Sequence, residues 1–173
     1  YDVHYFNGTW AEQDADDWWN AVCMTSKNLI QSTEIDPEEI GAVSFSGQMM
    51  GCLCVDRQGR PLRKSIIWAD QRAQEQAAQI ESHISQQDFY HIVGHRNTAS
   101  YGVQKLMWVR DHEPEIYEQT YKTLNAKDYI VFKLTGKFYT EYSDANSMCC
   151  FDLKHLKWSE ELIEYAGIDG DKL

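Results

Sequence analysis

Ser44-Phe45-Ser46-Gly47-Gln48-Met49-Met50-Gly51, followed by Ile66-Ile67-Trp68-Ala69-Asp70-Gln71-Arg72, is the pair of stretches that decides the fold. Ile40–Phe45 reads as a strand with a buried face that runs into a corner bracketed by Gly47 and Gly51. Gly51–Asp56 reads as its hairpin successor, and Arg57-Gln58-Gly59-Arg60-Pro61 carries turn chemistry, with Gly59 free to take positive φ. Ser65–Trp68 is then a short third strand that ends in an exposed Trp68 and Asp70. This order sets amide, thioether, indole and carboxylate groups at neighbouring strand ends, where a small polar ligand can be held.

Working outward, Val3–Phe6 looks like a strand inside a sheet. Asp14 is the expected N-cap of a helix whose stripe is Trp18, Val22, Thr25 and Leu29, with Asp16 and Asp17 at the positive end of its dipole. Downstream, Asp70 is expected to cap a helix running to about Ile84, and Gln87–Val93 forms a second helix ended by Gly94. Lys105–Arg110 starts another helix, and Pro114 restarts the chain in a further one. Lys122–Ala126 reads as a strand, Asp128–Leu134 as a helix stopped by Gly136, and Ser143–Asn146 as a turn or helix start. Ser159 caps the last helix, with Gly167 at its end. Helix followed by strand, hairpin and strand makes a mixed α/β layer.

The 173 residues suffice for one domain with a real core. A net charge of -11 without a basic run excludes a nucleic-acid partner of the usual kind. No apolar run approaches the roughly 18 residues of a bilayer span, and the first residues lack a signal-peptide layout. Five cysteines, with Cys52 and Cys54 two apart and Cys149 next to Cys150, read as reduced thiols of a cytoplasmic protein. Neither cysteine pair has zinc-ligand spacing, His91 and His95 are four apart but lack the glutamate of a zincin helix and are separated by the helix-ending Gly94, and the Asp and Glu residues give no preferred catalytic pair.

Five ordered passages carry a family resemblance. They are Trp10-Ala11-Glu12-Gln13-Asp14 with Asp17-Trp18-Trp19; Ser46-Gly47-Gln48-Met49 with Ile67–Arg72; Lys105-Leu106-Met107-Trp108 with Glu113-Pro114-Glu115; Ala126-Lys127-Asp128-Tyr129 with Leu134-Thr135-Gly136; and Thr140–Ala145. Together they resemble the FGGY carbohydrate kinases, xylulokinases in particular. The resemblance implies an actin-like fold, in which a ribonuclease-H-like domain holds a mixed sheet flanked by helices. It implies that residues 1–173 are most of the N-terminal sugar-binding domain, without its first strands or the C-terminal nucleotide-binding domain. It implies transfer of the γ-phosphoryl of ATP, with Mg2+, to a hydroxyl of a xylulose-like ketose or a polyol, and leaves a homodimer open. Two departures stand out. Nothing here matches the family's Asp-x-Gly-Thr phosphate loop, and Met50 stands where xylulokinases usually carry His. With the general base also expected beyond Leu173, this chain alone is expected to be inactive, and no residue in it is assigned to catalysis.

Six residues are candidates for sugar contact. Gln48 suits hydroxyls as amide donor and acceptor, or else braces the corner. Met49 and Met50 can pack the C–H face of a sugar, with core packing the rival for Met49. Trp68 is a stacking platform or core filler, and Asp70 a hydroxyl ligand or a helix cap paired with Arg72. Tyr101 can close over the pocket from the Gly94–Gly102 loop. Other readings stay open: a kinase for ribulose, gluconate or glycerol, a non-catalytic sugar-binding module, or a structural interaction domain.

Overall fold

A computed structural model describes residues 1–173. Strands β1 (His4–Phe6), β2 (Trp10–Gln13) and β4 (Ser65–Ile66) form one antiparallel sheet in the order β1-β2-β4. Strand β3 (Leu53–Val55) pairs antiparallel with β5 (Lys122–Leu124), in the register Leu53 to Leu124 and Val55 to Lys122. A bridge between Cys52 and Ile66 joins these two sheets. Strands β6 (Phe151–Asp152) and β7 (Lys157–Trp158) make a separate hairpin.

β3 explains why its stretch is apolar without alternation. Side chains along a strand point to opposite faces. Cys52 and Cys54 face the larger core with Ile66, Phe89, Leu106 and Met107, whereas Leu53 and Val55 face the smaller one with Trp18, Leu124, Tyr129 and Ile130. Both faces are covered, so both sets must be hydrophobic. The larger core is closed by α2 (Gln74–Glu81), α3 (Gln86–Val93), α4 (Gly102–His112), α5 (Pro114–Gln119) and α8 (Glu160–Ala166). The smaller is closed by α1 (Ala15–Thr33) and α6 (Ala126–Thr135), pinned together where Tyr129 Oη donates to Asp16 Oδ1 at 2.7 Å. A short helix, α7 (Tyr142–Ser147), precedes the terminal hairpin.

The punctuation matches the sequence closely. Asp14 caps α1 and Ser159 caps α8, while Gly94, Gly136 and Gly167 end α3, α6 and α8 in the left-handed conformation. Gly59 has φ 73, and a Cβ there would lie 2.0 Å from the Phe132 ring, so glycine is required twice over.

Five expectations are corrected. Ile40–Phe45 is not a strand: residues 40–49 carry no ladder hydrogen bonds, and Ile40, Val43 and Phe45 are exposed. β propensity yields a strand only where a partner supplies the ladder. Without that central strand there is no single mixed sheet, and all recorded pairings are antiparallel. β1 is an exposed edge strand, and the outer half of the α1 stripe, Thr25 and Leu29, faces solvent. Finally, α2 begins at Gln74 with Ala73 at its N-cap and no side-chain cap, so Asp70 is not the cap.

Candidate functional site

The corner after residue 45 is built by side chains reaching from other elements. Gln48 donates through Nε2 to Gln13 Oε1 at 2.6 Å, and the Trp18 indole donates to the same oxygen at 3.1 Å. Gln48 is thereby fixed beside the end of β2, with its own Oε1 still without a protein donor. Met50 has φ 60, a left-handed conformation that a non-glycine residue holds at a cost of order 1 kcal/mol. Ser147 Oγ accepts its N–H at 3.2 Å, and Asn125 Oδ1 accepts that of Gly51 at 2.9 Å. Asn125 also donates to the Asp144 carbonyl and shares a capping box with Asp128 at the start of α6.

Trp68 and Tyr101 approach from two other loops. Trp68 follows β4 and is 52% exposed, so its indole is not core filler. Tyr101 is half-buried at the N-cap position of α4, and its ring meets that of His95 at 5.1 Å. The three segments converge on one atom. Lys105 Nζ donates to Met50 O at 2.7 Å, Ile67 O at 2.8 Å and Ser100 O at 2.5 Å. Lys105 is fully buried, and burial draws its pKa down to about 7. Cys52 and Asp70 push in the other direction, as do the three carbonyls that accept its N–H groups.

Asp70 lies below this surface, not on it. It is fully buried, accepting the Ala11 N–H at 2.6 Å and the Arg72 N–H at 2.8 Å. Its Oδ2 also takes Arg72 Nη2 at 2.8 Å. Arg72 meets Glu12 at 2.9 Å and lies over the Trp10 ring at 4.1 Å and the Trp108 ring at 4.8 Å. Both acceptor oxygens of Asp70 are engaged, and the reading of it as an exposed carboxylate is corrected.

Gln48 also lines a cavity of about 380 Å³ with Trp18, Ser46, Gly47, Lys127 and Ile130. Trp68 and Tyr101 lie outside that cavity, so the backbone around Lys105, not one deep hollow, relates the candidates to one another.

A second polar cluster brings together two of the passages that carry the resemblance, Lys127 and Asp128 from one and Glu141 and Asp144 from the other. Asp144 is fully buried, and neither carboxyl oxygen has a hydrogen-bond partner; Lys127 Nζ stands 3.5 Å away. Burial, aided by the neighbouring Asp128 charge, pushes Asp144 up to about 7, and burial raises Asp128 to about 6. Burial works the same way on Glu141, but hydrogen bonds from Lys127 and Ser143 outweigh it and hold that carboxyl down to about 2. A folded-state pKa above the unfolded value means that the native chain keeps a proton the unfolded one has lost. Stability therefore falls as pH rises from about 4 to about 7 on account of Asp144. Asp144→Asn, which mimics the protonated acid, is expected to raise the Tm by about 3 °C near pH 8 and to leave it unchanged near pH 4. Equal destabilisation at both values in a thermal melt would refute this account.

No helix is long and apolar enough to cross a membrane. All five cysteines are free thiols, four of them buried.

Comparison with known proteins places the chain. The family model described as "FGGY family of carbohydrate kinases, N-terminal domain" matches residues 1–173. A xylulose kinase from Staphylococcus xylosus is 32% identical over 169 residues, covering 98% of this chain and 35% of that protein. Among solved structures, a xyloylose kinase from Brucella ovis superposes with a TM-score of 0.91 at 29% identity, covering 99% of this chain and 36% of that one. A gluconate kinase from Lactobacillus acidophilus superposes with a TM-score of 0.89, also at 29% identity, covering 100% of this chain and 35% of that one. The chain thus spans about a third of the length of the relatives it matches.

Proposed function

Because this chain belongs to the FGGY family of carbohydrate kinases and has their mixed α/β fold, related to the actin and ribonuclease-H-like ATPases, we propose that it forms most of the sugar-binding N-terminal domain of a kinase acting on a xylulose-like ketose or a polyol. The observation that carries this reading is the convergence of the Met50, Trp68 and Tyr101 segments on Lys105 Nζ. It ties an amide, two thioethers, an indole and a phenol to a common frame. The exposed indole offers a flat face for sugar C–H groups, Met49 and Met50 offer soft apolar contact, and the free Oε1 of Gln48 accepts from a hydroxyl. Asp70 serves the site from beneath, by holding Arg72 and the β2 backbone.

In this reading the chain's residues bind and orient the sugar and take no part in holding MgATP. ATP supplies the phosphoryl group and Mg2+ neutralises its charge. No group of three His, Cys, Asp or Glu side chains in this chain is gathered to hold a cation. The phosphate loop, the general base and the nucleotide-binding domain belong to the rest of the protein.

Met50 supports a second reading of the substrate. A thioether in place of imidazole removes a hydrogen-bond donor, which favours a sugar lacking the matching hydroxyl, and one structural relative is a gluconate kinase. Assaying the full-length protein with MgATP and a panel of pentuloses, polyols and aldonates decides. We expect ATP-dependent phosphorylation of at least one ketose or polyol. Absence of phosphorylation across the panel, together with no sugar-induced rise in Tm, would overturn the proposal.

A further inference from the structure

We propose that Lys105 is the positioning residue of the sugar site, its one ammonium group setting the placement of the three loops that carry Met50, Trp68 and Tyr101. This inference rests on the sugar-kinase reading above.

Lys105 lies in the first turn of α4 among the buried apolar residues Val103, Leu106 and Met107. A leucine or methionine would fill that volume without the desolvation cost of several kcal/mol that a buried ammonium carries. The charge is offset by three carbonyl acceptors, one for each N–H. No carboxylate lies within salt-bridge distance of it. Its partners lie just outside regular elements: Ile67 follows β4, Ser100 precedes the N-cap of α4, and Met50 stands in the corner before β3. The carbonyl of Ile67 belongs to the peptide that leads into Trp68, that of Ser100 to the peptide that leads into Tyr101, and that of Met50 to the candidate residue itself. Each gripped peptide plane thus fixes the Cα from which a proposed sugar contact departs. Met50 is the sharpest case, because its left-handed backbone persists with Lys105 on its carbonyl and Ser147 on its amide.

Removing the ammonium frees three loops at the reacting face while leaving the nucleotide-binding domain untouched. The test is Lys105→Met in the full-length kinase, assayed on the sugar that the wild type phosphorylates. We expect the KM for sugar to rise roughly tenfold to hundredfold, with the KM for ATP unchanged. Lys105→Gln, which keeps two N–H donors, should recover part of the loss. A Met variant that melts earlier but keeps the wild-type sugar KM marks Lys105 as a brace of the fold and overturns the inference. Failure of both variants to fold overturns it as well. A wild-type protein that phosphorylates no sugar takes the kinase reading down too, whereas an active wild type with an unaltered Met variant removes this inference alone.

Discussion

Replacing Asp70 by alanine should cost about 3–5 kcal/mol and lower the Tm by roughly 10 °C. The carboxylate is fully buried and accepts four hydrogen bonds from Arg72 and one from the Ala11 amide. The Arg72 side chain is 1% exposed, so without Asp70 its guanidinium keeps only Glu12 and the aromatic faces as compensation. A buried charge that loses its partner is among the most damaging single changes. An N-capping carboxylate, the role suggested by its position before a helix, would cost about 1 kcal/mol. The two accounts therefore differ by more than the error of a denaturation curve. A loss near 1 kcal/mol in Asp70→Ala would restore the capping role and discard the buried ion pair. Asp70→Asn should fall between the two, because it retains an acceptor for the Ala11 amide and loses the charge.

Trp68→Ala should behave in the opposite manner. Its indole is half exposed and lies outside both cores, so the Tm should move by no more than about 1 °C. The loss should appear in sugar binding, at about 2 kcal/mol, or roughly thirtyfold in the KM for sugar, since a tryptophan face is a dominant contact wherever it is covered by a ligand. Steady-state kinetics of the full-length enzyme at varied sugar and fixed MgATP measure this directly. A fall in Tm with an unchanged sugar KM would make Trp68 a packing residue and remove the indole from the site. Asp70 and Trp68 are two residues apart in sequence, yet one should govern folding and the other ligand binding.

Local signals in the sequence proved dependable where the physics is local. Asp14 and Ser159 as caps, Gly94, Gly136 and Gly167 as helix ends, and Gly59 in its turn are all set by backbone groups within a few residues. The strand expected at Ile40–Phe45 depended on a partner in another segment, which propensity cannot report. Asp70 was misread as exposed for a similar reason: its burial is decided by Arg72, Glu12 and the rings of Trp10 and Trp108, of which only Arg72 is near in sequence. Lys105 did leave a trace. It is the lone cation between Val103 and Val109, in a helix otherwise apolar enough to be buried all round. A charge at such a position implies that buried acceptors await it. Asp144 is marked in the sequence only as part of a turn or helix start; its burial beside Lys127 depends on α6, another element, and is not legible there.

The edge-to-face pair formed by Trp10 and Trp108, with ring centroids 5.1 Å apart and an interplanar angle of 79°, gives the protein a built-in optical signal. Two rigid indoles held this close couple electronically and yield near-ultraviolet circular dichroism, which disappears when fixed packing is lost. Trp68, half exposed, adds a red-shifted contribution to the summed fluorescence of the six tryptophans. One unlabelled sample therefore offers one signal for tertiary order and another for the wetting of Trp68, whose change on adding a sugar would register contact there.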